Sequence, residues 1–79
     1  NQQSTVDSIL SRVKSLTPRE YEVMRWVLTG LLNKQIAYEM GISEMTIKVH
    51  RGRVMKKMQA DSVAELVRLT EKANISPIQ

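Results

Sequence analysis

Apolar residues in this chain recur at helical spacing and nowhere alternate with polar ones over a strand's length. Val6, Ile9, Leu10 and Val13 stand at i, i+3, i+4 and i+7, one apolar stripe of a helix over residues 5–15. Ser4 or Thr5 is its cap. Standing ahead of the other helices, it is either a packed first helix or a linker helix, and a linker that docks partly on the domain is the favoured reading. Thr17-Pro18-Arg19-Glu20 is a helix start. Thr17 accepts from a backbone N–H, Pro18 loses nothing at the first helical position, and Glu20 reaches back to the cap. Val23, Met24, Val27 and Leu28 then form the buried stripe of a helix over 18–28, with Trp26 off its centre. Gly30 suits the left-handed position beyond the end.

Asn33 reads as the next cap, with Ile36, Ala37 and Met40 facing inward. Only Gly41-Ile42-Ser43 separates this helix from the following one, which Ser43 caps. Two helices joined by so short a turn make a helix-turn-helix, and Ala37 is small enough for them to cross closely. The last helix opens at Ser62-Val63-Ala64-Glu65, a second capping box. Val63, Leu66 and Val67 are its apolar face, extended by Thr70 and Ala73, and Asn74 and Pro77 end it. The fold class is therefore all-α.

Size and composition narrow the choices. A chain of 79 residues is one domain with a thin core. With 42% hydrophobic and 25% charged residues it is globular, not disordered. It has no cysteine, which excludes a disulfide framework and a thiolate metal site. No apolar run is long enough to span a membrane and no signal peptide is visible. The first residue is Asn1, so the chain is read as part of a longer protein. The aromatic residues Tyr21, Trp26 and Tyr38 are too few for a base-stacking platform, which argues against single-stranded nucleic acid.

The charge is unevenly placed. The chain carries 12 basic and 8 acidic residues. Lys48, Arg51, Arg53, Lys56 and Lys57 lie together with His50 and no acid; without these five the balance is slightly negative. A local cationic helix in a small domain points to a polyanion, most often nucleic acid. At about 100° per residue, Ile47, Val54 and Met58 share the inward side of the helix over 44–58, with Arg51 snorkelling at its edge. Met45, Val49, Gly52, Arg53 and Lys56 collect on the far side, and Lys48 at its shoulder. That face is cationic at both edges and apolar or empty along its middle. It suits a major groove, where Lys and Arg reach guanine acceptors or phosphates and Val49 meets a thymine methyl. Gly52 costs about 1 kcal/mol inside a helix, and on this face it lets the backbone approach DNA.

Plainer readings stand beside these. A basic helix face is often only a solvated surface, and Val49 could equally meet another protein chain. His50 reads as packed or hydrogen-bonded, since no second His or Cys could share a metal. Met24, Met40, Met55 and Met58 read as core filler, whereas Met45 points outward.

Leu16-Thr17-Pro18-Arg19-Glu20, Gly30, Asn33-Lys34-Gln35-Ile36-Ala37, Ile42-Ser43 and Thr46-Ile47-Lys48-Val49-His50-Arg51 resemble the LuxR/FixJ/NarL-type helix-turn-helix family. The resemblance runs in order over about residues 16–72. Tyr38, the run from His50-Arg51 to Lys57-Met58 and Ala60-Asp61-Ser62 look closest to the FixJ branch. The resemblance implies a four-helix domain over 16–74 whose third helix, about 44–58, is the recognition helix. Residues 1–15 would be an interdomain linker and 75–79 a tail. It implies double-stranded DNA as partner, pairing of the protein with itself on DNA, and transcription control in a bacterial cytoplasm, commonly activation through RNA polymerase. A phosphorylatable receiver domain would stand upstream.

Carried over position by position, Lys48, Val49 and Gly52 would face bases. Lys34, Thr46, His50, Arg51, Lys56 and Lys57 would face the DNA backbone. Gly52 lacks a side chain where some members place a contacting residue, and Arg53 stands where Asn is common, adding a base or phosphate contact. Pairing would use the last helix, at Val63, Leu66, Val67 and Thr70. Glu20 is assigned to capping and internal polar contacts. No catalytic residue, metal, cofactor or small-molecule substrate is expected, because the chain shows no nucleophile–base pair, metal cluster or phosphate loop. The competing readings are a sigma-factor region 4 module, which shares a similar opening and Ile-Ala pair, and a helical protein-interaction module with a basic face. The run Lys48-Val49-His50-Arg51 and the capping box at Ser62 favour the response-regulator output domain.

Overall fold

Five helices follow one another in the computed structural model, which describes residues 5–78. They are α1 (Val6–Lys14), α2 (Pro18–Val27), α3 (Asn33–Met40), α4 (Glu44–Met58) and α5 (Val63–Lys72). The alternative cap Ser4 lies outside the described residues. Thr5 holds that place, its hydroxyl accepting from the Ser8 N–H at 3.3 Å. Helix α1 docks by one stripe. Ile9 is fully buried with the core residues, while Val6 and Leu10 stay 46% and 40% exposed. The Arg12 guanidinium donates to the Met58 carbonyl oxygen at 3.1 Å, tying α1 to the end of α4.

Thr17 and Glu20 form the expected reciprocal box at the start of α2. Glu20 N–H donates to the Thr17 hydroxyl at 3.1 Å, and Thr17 N–H to Glu20 Oε1 at 3.0 Å. Gly30 turns the chain with φ of 86°. At α3 the expected cap is displaced by one residue. Leu32 is the extended residue before the helix, with ψ of 156°, and its N–H donates to Gln35 Oε1 at 2.8 Å. Asn33 is already helical, so its side chain is free to turn towards α4.

Gly41 closes α3 at φ of 70°, where a residue with a Cβ is strained. The next N–H, from Ile42, returns to the Ala37 carbonyl oxygen at 3.1 Å. That bond and the cap at Ser43, which accepts from the Thr46 N–H at 3.1 Å, fix the direction in which α4 leaves. The end of α4 repeats the device without glycine. Gln59 takes φ of 57°, and the buried Ala60 donates to the Met55 carbonyl oxygen at 3.0 Å.

The core lies around α4, which packs against α1, α2 and α3. Ile47, Val54 and Met58 fill its inward side, against Ile9, Val23, Met24, Val27, Ile36, Ala37, Leu66 and Leu69. In α5 the buried side is rotated from the expected one. Leu66, Leu69 and Thr70 are buried, whereas Val63 and Val67 are only half-buried. The Thr70 hydroxyl donates to the Leu66 carbonyl oxygen at 2.9 Å, which satisfies it inside the fold. After α5 the chain runs back along α2, where Ile78 N–H donates to the Arg25 carbonyl oxygen at 3.2 Å and Arg25 Nε to that of Ser76 at 2.9 Å.

Candidate nucleic-acid interface

Helix α4 has apolar residues on two opposite sides, and only one side is covered. Ile47, Val54 and Met58 are fully buried. Met45 and Val49 are 65% and 45% exposed on the other side, beside the exposed Lys48, Gly52, Arg53 and Lys56. A Cβ built on Gly52 would meet nothing within 4 Å, so its glycine answers no packing need of this domain. Among the described residues the salt bridges are Arg19–Glu22 and Lys57–Glu20. Lys48 and Lys56 are therefore without an ion pair on the face that looks outward, whereas the exposed Arg53 lines a groove with Glu20, Lys56 and Lys57 and acts on the Glu20 carboxylate through its charge. Lys34, in the first turn of α3, is exposed as well.

The other cations of the segment are engaged internally. Arg51 is half-buried and its guanidinium donates to Asn33 Oδ1 at 2.7 Å, across the helix-turn-helix. It braces α3 against α4, and a phosphate contact there has to share that guanidinium. Lys57 Nζ donates to Glu20 Oε1 at 2.8 Å, with the Lys57 side chain 35% exposed and that of Glu20 only 3%. The hydrogen bonds from Lys57 and from the Thr17 N–H hold the Glu20 carboxyl below its usual value, against the opposing effect of burial. Thr46 is half-buried and its hydroxyl shares a hydrogen bond with Ser43 at 2.8 Å. His50 is half-buried with Nδ1 shut from solvent and without a partner among the described residues.

The face expected for self-association needs revision. Leu66 and Thr70 are fully buried, so neither is available to a partner chain. Val63 and Val67 keep part of their surface, and Ala64, Arg68 and Glu71 are the exposed residues alongside them. Sequence reasoning rotated the stripe because Val67 is as apolar as Leu69, and helical spacing alone does not choose between them. It also missed Asn33 as the acceptor of Arg51 and Lys57 as the partner of Glu20. Both pairs link separate helices and have no signature in spacing.

Residues 14–70 match the family described as bacterial regulatory proteins, luxR family. Nodulation protein W of Bradyrhizobium diazoefficiens is 51% identical over 94% of this chain and 33% of its own length. The transcriptional regulatory protein FixJ of the same organism is 49% identical over 92% of this chain and 36% of its own length. Among solved structures, full-length FixJ from B. japonicum has a TM-score of 0.79 at 52% identity, covering 87% of this chain and 34% of that one. The response regulator StyR has a TM-score of 0.81 at 48% identity, covering 84% and 33%. The chain thus spans about a third of the length of these relatives. With its family match, its two-helix turn and its exposed cationic helix, the chain belongs to the luxR family of bacterial regulatory proteins, as a helix-turn-helix DNA-binding domain of the response-regulator kind.

Proposed function

We propose that this domain reads duplex DNA with the outer face of α4 in the major groove, and so regulates transcription as the output of a response regulator. The observation that carries this is the sorting of α4. One side is core, and the other presents Lys48, Arg53 and Lys56 around an apolar or empty middle of Met45, Val49 and Gly52. Lys48, Val49 and Arg53 meet base edges, with Gly52 allowing close approach. Lys34 and Lys56 meet phosphates, joined by Thr46 and His50 where the backbone passes nearest. Arg51 and Lys57 contribute mainly by holding α4 in place.

Family membership supports the wider setting. A receiver domain precedes α1 in the longer protein, which acts in the cytoplasm. Two copies pair on DNA over the surface of α5 around Val63 and Val67, and the bound pair contacts RNA polymerase as an activator. Among the described residues no helix is long and apolar enough to cross a membrane.

The test is selection of bound duplexes from a random library, followed by affinity measurements over a range of salt. Expected is an enriched half-site, repeated at about one helical turn or a multiple of it, bound with an affinity that falls steeply with salt. Absence of any duplex binding at low salt overturns the reading and leaves a protein-interaction face in its place.

A further inference from the structure

The outer face of α4 holds a residue that the contact set above leaves without a task. Met45 is the second residue of the helix and 65% exposed. Inside this domain it has nothing to do, because the core is complete on the opposite side of α4. It does not stand alone. Met45, Val49 and Gly52 succeed each other at i, i+4 and i+7, so they form a strip along the helix between the cations Lys48 on one edge and Arg53 on the other. At about 1.5 Å of rise per residue, Met45 and Val49 lie about 6 Å apart along the axis. Bases follow one another at about 3.4 Å, so the two side chains span about two base steps.

Glu44, the neighbour of Met45, does not intrude on this strip. It lines a groove with Arg51, Asn33 and Lys34 on the α3 side of the helix. The strip is also flanked by the exposed Lys48, Arg53 and Lys56, so it lies within the surface that would press on DNA instead of beside it. An apolar side chain there has one apolar complement on a base edge in the major groove, the C5-methyl of thymine. Methionine is unbranched and polarisable, so it reaches and adapts to a methyl at the groove floor. The first turn of a recognition helix is also the part that comes closest to the bases.

We propose that Met45 is a specificity-determining residue. It contacts a thymine methyl about two base steps from the one met by Val49, so that α4 reads two methyl groups along one apolar strip. This rests on the groove reading of α4 and deepens it.

The experiment uses the selected half-site with each thymine replaced in turn by deoxyuridine, which removes the methyl and nothing else. Wild-type protein is compared with Met45→Ala and Val49→Ala. Met45 is exposed and alanine is the best helix former, so the first variant keeps the fold. The wild type is expected to lose about fourfold in affinity at each of two thymines, the worth of one buried methyl. Met45→Ala should no longer distinguish thymine from deoxyuridine at one of them and keep the full ratio at the other. Val49→Ala should show the reverse. A Met45→Ala variant that keeps the wild-type ratio at every thymine overturns the assignment while leaving the groove reading intact. Absence of duplex binding by the wild type overturns the groove reading, and this assignment with it.

Discussion

Replacing Glu20 tests the polar contact that joins the start of α2 to the last turn of α4. Its carboxylate is almost wholly buried and takes two donors on one oxygen, Lys57 Nζ at 2.8 Å and the Thr17 N–H at 3.0 Å. Glu20→Ala removes both. Half of a capping box contributes up to about 1 kcal/mol, and a hydrogen bond to a charged group about 1.5–3 kcal/mol. Breaking a fully buried ion pair costs about 3–5 kcal/mol, but the Lys57 side chain is 35% exposed and water recovers part of that. The expected loss is about 2–3 kcal/mol, or roughly 10–20 °C in melting temperature at about 4–8 °C per kcal/mol for a domain this small.

Glu20→Gln keeps an acceptor for Thr17 and loses only the charge, so about 1–2 kcal/mol is expected. The pH dependence separates this account from simple misfit. Glu20 titrates below its usual value of 4.5 in the folded protein. Its contribution is therefore complete above that value and disappears as pH falls through the lower folded-state value. Urea unfolding followed by circular dichroism at pH 7 and at pH 3–4 measures both effects. Equal midpoints for wild type and Glu20→Gln at neutral pH, or a gap that does not narrow in acid, would refute the reasoning.

Lys56→Ala should lower affinity for all duplexes alike and reduce the salt slope by about one, whereas Lys57→Ala should change the slope less because Glu20 already compensates its charge; equal slopes for the two would count against that division. Ile9→Ala should cost about 2–5 kcal/mol in urea unfolding of the whole chain, since Ile9 is fully buried; a change under about 0.5 kcal/mol would mean that α1 folds apart from the rest. Gly41→Ala, with φ of 70° at that position, should destabilise by about 1–2 kcal/mol; unchanged stability would show that the turn relaxes without strain.

Much of this structure was legible because its signals are local. Thr17, Ser43 and Ser62 cap helices, and each accepts from the backbone three residues on. Gly30 and Gly41 take left-handed conformations that the sequence assigned to glycine at helix ends. The inward side of α4 follows from the spacing of Ile47, Val54 and Met58 alone. Local signals failed where two residues compete for one role. Leu32 and Asn33 are both possible last residues before α3, and polarity favoured Asn33. Its side chain is instead drawn 18 residues along the chain to Arg51. The second capping box is likewise shifted, for Glu65 accepts from the Asp61 N–H at 2.7 Å, one residue before the cap.

The interface was legible as a face and less so as a set of contacts. Charge and spacing identified the exposed Lys48, Arg53 and Lys56, because exposure follows from the wheel. They set Arg51 at the inward edge without naming its partner Asn33, and did not separate Lys57, whose charge is paired with Glu20 on another helix. A cation's availability depends on tertiary neighbours, and no periodicity encodes them. The same limit applies to Leu66 and Thr70, whose burial is decided by how α5 rolls on the core.

The claim that α4 enters the groove is tested most directly by following backbone amide resonances while the selected duplex is added. The account predicts the largest shifts at Met45, Lys48, Val49, Gly52, Arg53 and Lys56, smaller ones around Lys34, and little change over Val6–Lys14. Shifts concentrated on α1 or α5, with the outer face of α4 unmoved, would contradict it.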